Sequence, residues 1–90
     1  MATKFSLGPI VFTPGAMELG STPGVKIFHL IARHAHGDWG DLDEADKVEN
    51  ELSVRNGYRI LSAYNTRAGK LWIITEADRS STTCLLPEEY

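Results

Sequence analysis

The first apolar run in the chain is Leu7-Gly8-Pro9-Ile10-Val11-Phe12, and it predicts a short strand over 7–12. Pro9 has no N–H to donate, which places that strand at a sheet edge. Thr13, Pro14 and Gly20 then read as cap, first residue and stop of a turn or so of helix over 14–19. Thr-Pro-Gly returns at 22–24 and predicts a longer helix over 23–36. Ile27, Leu30, Ile31, His34 and Ala35 share one face of that helix, and Lys26, His29, Arg33 and His36 share the other. Gly37 is placed to end it in a left-handed conformation.

Asp41 and Glu44 have the spacing of a capping box for a third helix over 42–56. Leu42, Ala45, Val48 and Leu52 fall on one side of it, acids crowd its first half, and Arg55, Asn56 and Gly57 close it. The remainder reads as strands at 58–64, 71–75 and 82–87, joined by polar turns. The predicted fold is therefore α+β: one small domain over 1–90, with an N-terminal edge strand and two main helices packed on a three-stranded antiparallel meander. Residues 1–6 are expected to be flexible.

Composition narrows the function classes. The apolar fraction of 42% and the charged fraction of 23% are those of a globular chain. A chain of this length buries only roughly 60–65% of its unfolded surface, so its core is small. No apolar run approaches the length of a membrane helix, and Pro9 and Pro14 argue against a signal peptide. The lone Cys84 makes neither an internal disulfide nor a zinc site, which points to a reducing cytoplasm. The net charge of −3 is not that of a nucleic-acid binder. Seven of the twelve acids lie within 38–51, against one lysine. Such a run is either a solvated helix face or a surface for a basic partner.

Chemistry concentrates in two places. In "RHAHGDWGDLDEAD" (33–46) the acids do not fit a calcium loop, and no zinc-protease motif is present, so no metal or cofactor is expected. Trp39, between two glycines, either staples the helices together or stands out as a binding anchor. The candidate partner surface is Asp38, Trp39, Asp41, Asp43, Glu44, Asp46 and Glu49. His34 lies on the apolar face, where a carboxylate such as Asp38 or Asp41, or a backbone carbonyl, is expected to hold it. The second place is a polar loop carrying Glu76, Asp78, Arg79 and Ser80. Asp78 is expected to bond within the loop, and Arg79 to pair with a carboxylate. No nucleophile elbow surrounds Ser80 or Ser81, and no glycine-rich phosphate loop exists.

Two long runs carry a resemblance. "RHAHGDWGDL" and "ITEADRSSTTCLLPEEY" resemble a family of small bacterial proteins carried on plasmids, integrative elements and prophages. Its members share an R-H-x-x-G-D-W-G-D-L run and an I-T-E-A-D-R-S-x-T-T-x-L-L-P-x-E-Y ending, over about residues 7–90. They are often labelled plasmid-related or as part of a type I restriction system. The resemblance implies a non-enzymatic interaction protein of a mobile element that inhibits a host defence complex, of restriction or CRISPR type. An acidic surface suits a nuclease or defence complex whose nucleic-acid channel is basic. The order strand, two helices, meander is also similar to RelE/ParE toxins and barnase-like ribonucleases. That alternative would cast His34, Arg59 and Arg79 as catalytic, though no motif supports it.

Overall fold

The computed structural model describes residues 2–90. Strand β1 (Ile10–Phe12) runs into helix α1 (Pro14–Gly20), whose cap is as expected: the Thr13 hydroxyl accepts from the amide of Ala16. The second Thr-Pro-Gly does something different. Pro23 and Gly24 occupy the corners of a turn closed by the Val25 amide on the Thr22 carbonyl, with Gly24 at φ +88°. Proline at the first corner and a left-handed glycine at the second is a type II turn, so no helix starts there. Helix α2 begins at Ile27 instead and ends at Ala35. Gly37, at φ +85°, ends it in a Schellman arrangement, the Asp38 amide on the Arg33 carbonyl and the Gly37 amide on that of His34.

Helix α3 spans Glu44–Asn56. Its cap is Asp43, whose carboxylate accepts from the Asp46 amide, and not Asp41. Strands β2 (Ile60–Thr66), β3 (Gly69–Thr75) and β4 (Thr82–Leu85) come next, then a 3₁₀ turn at Pro87–Glu89. The architecture is three helices with a four-stranded mixed sheet in the order β1-β4-β3-β2. β2, β3 and β4 pair antiparallel in sequence order, while β1 adds to β4 in parallel, so the sheet is larger than a bare meander.

One sheet face carries Ser62, Tyr64, Leu71, Ile73, Thr75, Thr82 and Cys84, all buried. It packs on Ala16 and Leu19 of α1 and on Ile27 and Ile31 of α2. A second cluster joins Phe5, Trp39 and Ile60, with Leu42 and Val54 packed against it. Of the stretch 1–6, Met1 lies outside the described residues. Within the stretch expected to be flexible, the chain is tied down at two residues: Phe5 is buried and the Lys4 amide bonds to the Ala35 carbonyl.

Candidate interaction surface

Strand β2 is the sheet edge beside the acidic segment, and its outward backbone groups need partners. The segment supplies them. The Asn50 side chain donates to the Leu61 carbonyl at 2.6 Å and accepts from the Leu61 amide at 3.2 Å. The Ala63 amide donates to the Trp39 carbonyl, and the Asp41 amide to the Ala63 carbonyl at 2.7 Å. The Asp41 carboxylate accepts from the Asn65 amide at 2.7 Å. Gly40, at φ +77°, lies against the Ala63 carbonyl, where a Cβ would collide with the oxygen.

The Gly-Asp-Trp-Gly-Asp run is thus an edge seal. Asp38 is forked by Arg33 at 2.7 and 3.2 Å, and that guanidinium holds its carboxyl below the usual range. Trp39 is 4% exposed, stacks on Phe5 and donates its indole N–H to Glu51 at 2.8 Å. The staple reading of Trp39 holds, and the anchor reading is corrected: the ring is not available to a partner. Asp38, Asp41 and Asp43 likewise spend their carboxylates inside the chain.

Glu44, Asp46 and Glu49 remain. Glu44 reaches only Lys47, at 3.6 Å, and the carboxylates of Asp46 and Glu49 meet no partner among the described residues. They stand on a helix whose sidedness is inverted. Asn50 and Ser53 are buried, whereas Val48 is 59% and Leu52 43% exposed. The Leu42/Ala45/Val48/Leu52 side is therefore not the packing face, apart from Leu42, which precedes the helix and joins the core. The edge seal requires Asn50 to face the sheet, and at 100° per residue that turns Ala45, Val48 and Leu52 to solvent.

Beside α3 a groove of about 490 Å³ opens on the other face of the sheet. Asp46, Glu49 and Asn50 line its helix wall, Leu61, Ala63 and Trp72 its floor, and Arg59 and Lys70 the far side. Sequence reasoning missed Asn50, Lys70 and Trp72. A mid-helix asparagine is a signal in itself, because its amide competes poorly with leucine or alanine unless it bonds elsewhere.

His34 is wholly buried. Its partners are neither carboxylate nor backbone carbonyl: Nδ1 meets the Ser62 hydroxyl at 2.5 Å and Nε2 meets that of Thr75 at 2.9 Å. Thr75 continues to Thr82 at 2.7 Å, and Thr82 donates to the Leu7 carbonyl. That last bond fixes the direction of the rest. Thr82 uses its only hydrogen on Leu7, so it accepts from Thr75, and Thr75 accepts from the Nε2–H of His34. Nδ1 is then bare and accepts from Ser62. Burial pushes the imidazole pKa down to about 4, so the ring is neutral.

The polar loop is ordered by its own groups in part. Asp78 accepts from the Ser80 amide at 3.0 Å, and the Ser80 hydroxyl and amide hold its carboxyl below the usual range. Arg79, at φ +61°, pairs with no carboxylate among the described residues; its guanidinium donates to the carbonyls of Ser53, Tyr58, Glu76 and Ala77 and lies over the Phe5 ring. It thereby ties the loop to the end of α3. Arg59 sits apart, with Glu76 at 3.6 Å and the Tyr90 hydroxyl at 2.8 Å. His34, Arg59 and Arg79 are thus not brought together in a cleft: one is sealed in the core, and another is committed to backbone carbonyls.

Among the described residues no three His, Cys, Asp or Glu side chains are grouped to hold a metal ion, and no helix is long and apolar enough to cross a membrane. Comparison with protein-family models, with curated proteins and with solved structures returned no match.

Proposed function

We propose that this chain is a non-enzymatic interaction protein that binds a basic protein partner through the outer side of α3. The observation that carries the reading is the inverted helix. Ala45, Val48 and Leu52 face solvent, with Glu44 and Glu49 beside them. An apolar centre with a charged rim is the anatomy of a recognition surface, in which the centre supplies affinity and the rim supplies steering and specificity. The edge seal sets which side of α3 faces outward, but it does not require that side to carry valine and leucine, and a small domain gains no stability by exposing them.

The resemblance of the two long runs to proteins of bacterial mobile elements supports a more particular role, the inhibition of a host defence complex. A nuclease or guide complex has a basic nucleic-acid channel, which an acidic surface can occupy in place of the nucleic acid. The experiment is capture from a bacterial host lysate, read by mass spectrometry, with the parent chain and with a Val48→Asp/Leu52→Asp variant. Both positions are outside the core, so the variant should fold. A basic protein captured by the parent and lost from the variant is the expected result; equal capture by the two would contradict it.

A further inference from the structure

We infer that the groove beside α3 receives an arginine side chain from an extended segment of the protein partner. The inference rests on the binding reading above and names the chemistry of one contact within it. The floor is apolar and aromatic: Leu61, Ala63 and the half-buried Trp72. On the helix wall, Asp46 and Glu49 stand one turn apart with carboxylates that meet nothing among the described residues. Two unpaired anions and an indole lining one groove match a planar cation that stacks and donates in a fork, while Arg59 on the far wall is already engaged by Glu76 and Tyr90. Guanidinium has that shape, whereas an ammonium is a point charge with a tighter hydration shell.

Lys70, on the far side of the groove, has no partner among the described residues. It is placed to donate to a carbonyl or carboxylate of the same segment, which would hold that segment across the groove. The groove volume of about 490 Å³ falls in the ordinary range for ligand-binding clefts, ample for one large side chain. A metal ion is a poorer occupant, because no third ligand is grouped with the two acids among the described residues.

The test is an NMR titration of the whole chain with a pentapeptide of alternating glycine and arginine, acetylated and amidated. Its lysine and citrulline counterparts serve as comparisons. The expected result is that the arginine peptide moves the Trp72 indole signal and the amides around Asp46, Glu49 and Leu61. The lysine peptide should bind several-fold more weakly, and the citrulline peptide should leave these signals unmoved. Asp46→Asn/Glu49→Gln should weaken the arginine peptide by roughly tenfold or more. Neither carboxylate holds the fold, and a thermal melt confirms that the variant is intact. Trp72→Leu, which keeps the floor apolar, should also weaken binding.

Shifts spread over Asp38, Asp78 and Glu88 as strongly as over the groove would overturn the inference. Equal binding of arginine and lysine peptides, or an unaffected double variant, would do the same. If the peptide ignores the groove while Val48→Asp/Leu52→Asp still abolishes capture from the host, the arginine site falls and the binding reading stands.

Discussion

His34 shows how a single side chain can look like chemistry and serve structure. Its ring joins two strands through a one-way chain of hydroxyls, from Ser62 to Thr82 and on to Leu7. The folded imidazole takes a proton only near pH 4, the unfolded one near 6.5. Between those values the unfolded state binds more protons, so stability falls as pH drops from about 6.5 towards 4, by about 3 kcal/mol in all. Chemical denaturation across that range should show the slope, and His34→Ala should flatten it. The same variant should cost about 2–5 kcal/mol at neutral pH, from a cavity and two stranded hydroxyls, whereas His29→Ala should cost almost nothing. A slope that survives in His34→Ala would contradict the assignment. The helical pattern places His34 on the apolar face. It does not give the partners, because Ser62 and Thr75 lie 28 and 41 residues away, and short polar residues in a strand carry no local signal of what they will meet.

Arg79 belongs to the same scale. Four carbonyls converge on its guanidinium, and its backbone holds a left-handed conformation that side chains resist. Arg79→Lys should lower stability by about 2 kcal/mol, since an ammonium cannot span the end of α3 and the loop together. Full stability in that variant, read by thermal melting, would show that charge alone is enough. The density of Asp78, Arg79 and Ser80 does announce an ordered loop. It does not announce the chief contact of the arginine, because a carbonyl cluster at a helix end attracts a cation as a carboxylate does.

At the scale of elements, α3 and β2 explain one another. The helix gives Asn50 to the strand edge, and the loop before it gives Trp39 and Asp41. Asn50→Leu should leave both Leu61 groups bare. The expected outcome is a lower melting temperature and concentration-dependent aggregation through the opened edge, measurable by light scattering on heating. Gly40→Ala should be worse than its small volume suggests, because the new methyl group meets the Ala63 oxygen. Asp43→Ala should cost about 1 kcal/mol as the loss of a helix cap.

Most element boundaries are legible from local chemistry, such as Thr13-Pro14, Gly37 and Asn56-Gly57. Thr22-Pro23-Gly24 misleads because the triplet that starts one helix also makes a type II turn, and the residues after the glycine decide between them. The buried side of α3 misleads for a different reason. Apolar spacing predicts the packing face only when the core is what the apolar residues serve, and here the sheet edge claims the polar side.

At the scale of the whole molecule, two exposed areas compete as the binding surface. Net charge is −3, and on α3 the carboxylates of Asp46 and Glu49 stand beside an apolar stripe with no partner among the described residues. A second exposed apolar area exists on the opposite edge, where Phe28 is 71% and Met17 62% exposed near β1. The two areas make a direct choice possible. The deciding measurement is hydrogen–deuterium exchange of the chain alone and in complex with the host protein it captures. Slowed exchange over α3, Leu61 and Ala63, with β1 and α1 unchanged, is the expected result. Protection confined to β1 and the Phe28 region, with α3 exchanging as in the free chain, would contradict the assignment of the acidic helix as the binding surface.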